Sequence, residues 1–209
     1  MVGEGVLHES LKHPEVESVL VINRKPCGVE HEKLTEIIHQ DFHDFSTIEA
    51  QLVGYNTCYF CMGVSSIGMK EAQYREITYN LTMRVANTLL KINPEMTFCY
   101  VSGVGTDSTE KGRSMWARVK GKTENDLMNQ PFKASYMFRP GYIQPTTGLK
   151  NAYKIYKFVG PFYPIWNTFF PKYVCTLEQL GLAMINSTLN GSDVQVLECK
   201  DIRLVAEKG

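Results

Sequence analysis

The 209-residue chain has no excess of either charge: 22 lysines and arginines stand against 22 aspartates and glutamates, and no same-sign run exceeds two residues. Such a surface offers no basic track for a phosphate backbone, so nucleic acid is not an expected partner. Long apolar runs are lacking too. Nothing approaches the about 18 uninterrupted apolar residues of a membrane span, and the most aromatic stretch, FVGPFYPIWNTFFPKYV, is broken by three prolines. The expectation is a protein with no membrane partner. Its cysteines (Cys27, Cys58, Cys61, Cys99, Cys175, Cys199) lack the loop spacing of a disulfide scaffold, and no leader pattern precedes them. A reducing cytoplasm is the expected location. There are no internal repeats, low-complexity tracts or linkers, so 1–209 reads as a single domain, large enough to bury roughly 70% of the surface its unfolded chain exposes.

What is present is alternation. Runs rich in β-branched and aromatic residues, at 17–23, 36–42, 57–64, 97–103 and 134–140, alternate with longer segments of helical period. That order implies an α/β fold with a parallel sheet and crossover helices. A helix over 2–13 is stopped by Pro14, and a short one over 46–52 starts at Ser46 as its cap. The longest, 70–92, places Tyr74, Ile77, Leu81, Val85 and Leu89 along one face. A fourth, 113–128, turns Met115, Val119 and Leu127 inward. Then TLEQLGLAMINSTLNG forms a helix closed by Gly191, and VQVLE is read as the last strand, ending the fold.

Two local features suggest a nucleotide. MVGEG (1–5) places Gly3 and Gly5 at the start of a helix, where, of the three jobs glycines do in a nucleotide-binding turn, they can supply only the close packing of helix on strand; by itself so short a motif reads first as a structural N-terminal turn and second as a cofactor site. About 20 residues on, the strand VLVIN ends in Arg24-Lys25 with no acid. An acidic residue there holds the ribose hydroxyl of NAD, whereas an arginine accommodates the 2′-phosphate of NADP. NADP(H) is therefore expected ahead of NAD(H).

The ordered series VLVINRKP, Asp41-Phe42, CMGVSS, YVSGVGTDS, VKGKTEN, FRPGYIQP and LECKDI resembles the atypical short-chain dehydrogenases/reductases of the NAD(P)-dependent epimerase/dehydratase type. It is nearest in pattern to the Tat-interacting-protein-like oxidoreductases. The resemblance runs over essentially the whole chain. It implies a Rossmann-like, doubly wound parallel sheet with helices on both faces and an oxidoreductase or epimerase-like activity on a small carbonyl or hydroxyl substrate. Members of the family begin this region with a strand and GxTGxxG, and Gly3 matches the last of those glycines. The resemblance therefore implies that the first, central strand is missing, and about ten further residues are expected upstream, with a strand of about six among them.

Carried over position by position, the resemblance places Met1, Val2 and Gly3 at the pyrophosphate and Arg24 with Lys25 at the adenosine ribose phosphate. Asp41 and Phe42 would lie by the adenine, and Met62, Gly63 and Val64 along the cofactor ribose with Asn80 behind them. Pro140, Gly141, Tyr142 and Ile143 would flank the nicotinamide. The wider superfamily uses a serine after the fifth strand and Tyr-x-x-x-Lys on the next helix, whose i and i+4 side chains share a face. Ser102 and Lys120 match the serine and lysine as catalytic candidates; the tyrosine position holds Trp116. An indole N–H is a donor only and cannot exchange a proton as a phenol does. Either Thr106, Ser108, Tyr142 or water takes over, or the protein is a non-catalytic dinucleotide-binding regulatory or interaction module.

Other signals are declined. Cys58 and Cys61, at i and i+3 of a strand-like run, point to opposite faces, and His31, His39 and His43 lack ligand spacing, so no metal is expected. The sequons at Asn80 and Asn186 fall in expected helices. The aromatic stretch 153–173 suits a membrane-facing surface, a homodimer surface or a pocket wall. The resemblance favours the pocket wall, with 142–190 as the substrate side.

Overall fold

The computed structural model describes residues 1–146 and 170–208. Most of the aromatic stretch 153–173, and with it much of the expected substrate side, lies outside the described residues. The chain begins with α1 (Val2–Lys12), followed by β1 (Val19–Asn23), β2 (Leu34–Ile38), a 3₁₀ turn (Glu49–Leu52) and β3 (Thr57–Phe60). Then come α2 (Glu71–Arg75), a π-helical turn (Glu76–Asn80), α3 (Leu81–Ile92), β4 (Thr97–Val101), α4 (Met115–Met128) and β5 (Ala134–Arg139). After β6 (Tyr142–Gln144) the described chain resumes before β7 (Val174–Thr176), α5 (Leu177–Asn190), β8 (Val196–Glu198) and α6 (Cys199–Ala206).

Side chains of adjacent strand residues point to opposite faces, and here both faces are buried. Phe60, Phe98, Tyr100 and Met137 pack with Leu81, Val85 and Ala86 of α3 and Leu127 of α4. On the other face Cys99, Tyr136, Phe138 and Leu197 pack with Val6 of α1, Leu180 and Met184 of α5, and Ile202 and Val205 of α6. Each large side chain so buried contributes about 1.5 to 3 kcal/mol. This is the double winding of an α/β fold, with all strand pairs among the described residues parallel. Close approach of α1 to α5 needs Gly5, where a Cβ would sit 2.3 Å from Leu177 Cγ.

The sheet is not continuous. β1 pairs with β2, and β3, β4, β5 and β8 form a four-stranded sheet in that order; β6 pairs separately with β7. Among the described residues no strand bonds β1 to β3. The interruption falls where the resemblance places a central strand.

Several boundaries differ from the sequence reading. β2 ends at Ile38 rather than 42, and β3 at Phe60 rather than 64, so Asp41, Phe42, Met62, Gly63 and Val64 lie in the turns that follow. Ser46 caps nothing: its N–H is taken by Asp44 Oδ1 at 2.9 Å, and the short 3₁₀ turn starts after Ile48. The long helix contains a π turn, and the extra residue rotates the apolar face. Ile77 is therefore 38% exposed, and Thr78 takes the buried place between Tyr74 and Leu81. VQVLE does not end the fold, because α6 follows at once, its start held by Glu198 N–H donating to Asp201 Oδ2 at 3.1 Å.

Candidate functional site

In a parallel sheet every carboxyl end lies on one edge, and open α/β folds take ligands there, where the strand order reverses. Many of the sequence-assigned positions follow the carboxyl ends of strands. Arg24 and Lys25 follow β1, Asp41 and Phe42 follow β2, and Met62, Gly63 and Val64 follow β3. Ser102 follows β4, and Pro140, Gly141, Tyr142 and Ile143 follow or open the strands after β5. β1 and β3 belong to separate sheets, so the sheet is interrupted between them.

At the β4 end the structure brings Ser102, Lys120 and two further residues together. Trp116, Lys120 and Glu124 occupy successive turns of one α4 face. The Lys120 ammonium donates to the Ser102 carbonyl oxygen. Burial pulls the Lys120 pKa down, and the Glu124 charge opposes it. The Ser102 hydroxyl, read as the group that holds a substrate oxygen, is buried and directed at the Glu124 carboxylate, with the Phe138 carbonyl at 3.2 Å as its other acceptor. Glu124 is fully buried. Arg139 Nε lies 3.0 Å from each of its oxygens, and Arg139 Nη2 reaches both Glu124 and, at 2.5 Å, Ser108 Oγ. Thr106 Oγ1 donates to the Gly103 carbonyl at 2.7 Å. The Trp116 ring stands 3.4 Å from where a Cβ on Gly105 would be, so the indole lies against the loop that follows β4.

At the adenosine end Arg24 and Lys25 are exposed, and the Arg24 guanidinium lies 5.3 Å over the centroid of the buried Phe42 ring. Asp41 is exposed and accepts from His43 N–H at 2.8 Å. Glu36, unread from the sequence, shapes the loop that carries the basic pair. Its Oε1 accepts from Asn23 Nδ2 and from Cys27 N–H, each at 2.8 Å. Partial burial pushes the Glu36 pKa up, but the hydrogen bonds from Asn23 and Cys27 outweigh it and hold it below 4.5. A carboxylate lowered in the fold adds stability above its unfolded pKa, and that stability is lost as pH falls through the folded value. Below pH 4.5 the unfolding temperature of the wild type should fall more steeply than that of Glu36→Gln. Parallel curves in a thermal scan from pH 6 to pH 3 would refute this role.

The start of α1 carries no side-chain cap, and Gly3 there is exposed, its missing Cβ 3.4 Å from the Cys61 Cβ. Met1 and Val2 are half-buried beside it. Met62, Gly63 and Val64 are exposed, and a Cβ on Gly63 would meet nothing within 4 Å. Asn80 is half-buried at the end of the π turn, its amide donating to Glu76 Oε2. Pro140 and Ile143 are buried. Gly141 and Tyr142 line an apolar cavity of about 340 Å³ with Val104, Phe170, Tyr173 and Val174. Gly141 N–H donates to Cys199 Sγ at 3.1 Å, which ties this turn to the start of α6. Tyr142 Oη donates to Gln144 Oε1 at 2.9 Å.

The declined signals have local explanations. Burial pushes the Cys61 pKa up to about 12 and Cys58 higher still, so both are thiols at neutral pH. Asn186 is buried in α5, its amide donating to the Val205 carbonyl at 3.0 Å. Among the described residues no cluster of three or more histidine, cysteine, aspartate or glutamate side chains could hold a metal ion. No helix among them is long and apolar enough to cross a membrane.

No family model matches the chain, and no curated protein matches its sequence. Solved structures do match it. UDP-glucose 4-epimerase from Thermotoga maritima, solved with UDP-glucose, superposes with a TM-score of 0.66 at 11% identity, over 99% of this chain and 79% of that one. UDP-N-acetylglucosamine 4-epimerase from Methanobrevibacter ruminantium gives 0.64 at 15% identity, over 98% and 76%. The chain has the Rossmann-like epimerase fold. A further structure with that fold, the Bordetella bronchiseptica enzyme WbmG in complex with NAD, gives 0.64 at 11% identity, over 99% and 74%.

Besides Glu36, two residues at the β4 end escaped the sequence reading. Glu124 stands at i+4 from Lys120, the spacing that already linked Lys120 to Trp116, and extending it by one turn would have found it. Arg139 lies within FRPGYIQP, but only the folded sheet brings it against α4.

Proposed function

We propose that the protein is an enzyme, an NAD(P)-binding oxidoreductase or epimerase-like catalyst that prefers NADP(H) and acts on a small carbonyl or hydroxyl compound. One observation carries this reading: residues fit for a dinucleotide follow the carboxyl ends of β1, β2, β3, β4 and β5. The uncapped first turn of the 11-residue α1, with Gly3 exposed, fits a pyrophosphate. Arg24 and Lys25 suit a ribose phosphate, and Phe42 beneath Arg24 offers the adenine an apolar neighbour. Bound there, the dinucleotide supplies or accepts a hydride.

The Ser102 carbonyl fixes the Lys120 ammonium, which supports a role for Lys120 in holding ribose hydroxyls. The apolar cavity at Gly141 and Tyr142 suits a small apolar or aromatic carbonyl compound. Tyr142 brings the one phenol of the notional hydroxyl substitutes, and it takes the proton-exchange role that Trp116 cannot fill. NADPH absorbance followed across a panel of small aldehydes and ketones tests this. Consumption should occur and should drop about a hundredfold or more in Tyr142→Phe, the scale of a general acid's contribution.

A second reading, a dinucleotide-binding module without turnover, is favoured by Trp116 and by the inward Ser102 hydroxyl. No consumption by the wild type across the panel, with activity gained in Trp116→Tyr, would decide for that reading and against the enzyme.

A further inference from the structure

Two cysteines meet where the β6–β7 pair joins the start of α6. Cys175 lies in β7, in register with Ile143 of β6. Cys199 is the first residue of α6, which packs against β7 and against the 3₁₀ turn Pro171–Tyr173 before it. Both side chains are buried in one apolar cluster with Ile143, Leu177 and Ile202. Gly141, the residue before β6, donates its N–H to Cys199 Sγ at 3.1 Å. Its backbone lies against Tyr173, the residue before β7, where a Cβ on Gly141 would sit 2.2 Å from the carbonyl oxygen. The Cys199 sulfur therefore stands at the head of the strand pair that carries Cys175.

The two thiols are not equivalent. The Cys175 thiol donates to the Cys199 sulfur, and this contact is the largest influence on both, pulling the Cys199 pKa down and pushing Cys175 up. For Cys199, burial and the Glu198 carboxylate oppose the fall, while the Gly141 N–H and the Arg203 guanidinium one turn further along α6 support it. For Cys175, burial adds to the rise. One sulfur is thus favoured as the thiolate nucleophile, with a protonated thiol in contact as its partner. Cys58, Cys61 and Cys99 differ, since burial pushes all three upward. Neither sulfur of the pair faces bulk solvent, but their immediate neighbours, Gly141 beside Cys199 and Val174 before Cys175, line the apolar cavity. Its volume of about 340 Å³ leaves room for hydrogen peroxide, a molecule little larger than a water at about 30 Å³.

We propose that Cys175 and Cys199 are an oxidative modification site: Cys199 reacts with hydrogen peroxide, and Cys175 resolves the product into a disulfide between β7 and α6. In the first step the Cys199 sulfur attacks one peroxide oxygen. An S–O bond forms, the O–O bond breaks, and the departing hydroxide takes a proton from solvent to become water, leaving Cys199 as a sulfenic acid. In the second step the Cys175 sulfur attacks the Cys199 sulfur. The S–S bond forms, the S–O bond breaks, and the hydroxyl leaves as water with the Cys175 proton. Two thiols lose two electrons to become one disulfide, and one peroxide is reduced to two waters. A dithiol reductant reverses the change by thiol–disulfide exchange. Oxidation fastens α6 to β7 and takes the thiolate acceptor from Gly141 N–H, so the cavity wall at Gly141 changes with the state of the pair.

The test uses the full chain, reduced, freed of reductant and without nucleotide, so its outcome is separate from that of the cofactor reading. The protein is exposed to a small molar excess of hydrogen peroxide, remaining thiols are alkylated in denaturant, and unreduced peptides are mapped by mass spectrometry. The wild type, with no variant needed, should yield a peptide linked through Cys175 and Cys199 of one chain, and dithiothreitol should restore both thiols. Cys175→Ser should leave a sulfenic acid at Cys199 that a cyclic 1,3-diketone captures. Cys199→Ser should slow the loss of the Cys175 thiol about tenfold or more. Wild-type thiols at both positions that stay open to alkylation, a bridge found only between chains, or Cys175 loss at the same rate in wild type and Cys199→Ser would each overturn the proposal.

Discussion

Replacing Arg139 with methionine is expected to lower the unfolding free energy by about 3 to 5 kcal/mol, the cost of stranding a buried charge. Glu124 is fully buried, and the Arg139 side chain is 11% exposed. With the guanidinium gone, the carboxylate keeps, among the described residues, the Ser102 hydroxyl as its donor and the part-buried Lys120 charge nearby. The loss would be a large share of the about 5 to 15 kcal/mol that holds a typical domain together. Removing both charges together, as Glu124→Leu with Arg139→Met, should recover most of it, because an apolar pair of similar volume needs no solvation. Urea denaturation of the two variants at pH 7 measures both effects. A single-variant loss below about 1 kcal/mol, the range of exposed ion pairs, would mean that water reaches the pair.

Gly121→Ala should destabilise the protein by about 1 to 3 kcal/mol, against the usual trend. In an ordinary helix interior alanine gains about 0.5 to 1 kcal/mol over glycine. Here a Cβ would lie 1.8 Å from the Asp107 carbonyl oxygen, a backbone atom of the loop that crosses α4. That loop is tied in place: Asp107 N–H donates to the Ala117 carbonyl at 3.1 Å, and the Asp107 carboxylate accepts from Thr109 N–H at 3.0 Å and Gly112 N–H at 2.6 Å. The loop must move away from α4, and the segment carrying Ser102 to Ser108 moves with it. A thermal scan decides the sign. A stabilised variant would show that the loop is not seated on the helix.

Periodicity in the sequence located most helices and strands because their apolar patterns agree with their burial. It failed where the backbone departs from a regular repeat. No single-period reading anticipates the π turn at Glu76–Asn80, so Ile77 was placed inside and Thr78 left out. The strand readings at 36–42 and 57–64 ran past Ile38 and Phe60, because the apolar Phe42 and the apolar Cys61, Met62 and Val64 lie in the turns that follow. β6 and β7 are three residues each and, among the described residues, pair with one another alone, too short for an alternation to register. LECKDI was read as a motif, yet it joins the end of β8 to the capped start of α6. At the site, the strand ends carrying Arg24, Ser102 and Pro140 were legible. The direction of the Ser102 hydroxyl was not, because it depends on Glu124 and Arg139 meeting across α4 and β5.

The account rests on a dinucleotide lying along the carboxyl edge with its adenosine phosphate at Arg24. Titration of NADPH and NADH by nicotinamide fluorescence, in the wild type and in Arg24→Ala, tests it most directly. A charge-assisted hydrogen bond contributes about 1.5 to 3 kcal/mol, so the wild type should bind NADPH about tenfold or more tightly than NADH. Arg24→Ala should abolish that difference while leaving NADH affinity unchanged. Equal affinities in the wild type, unaltered by Arg24→Ala, or no binding of either nucleotide, would contradict the account.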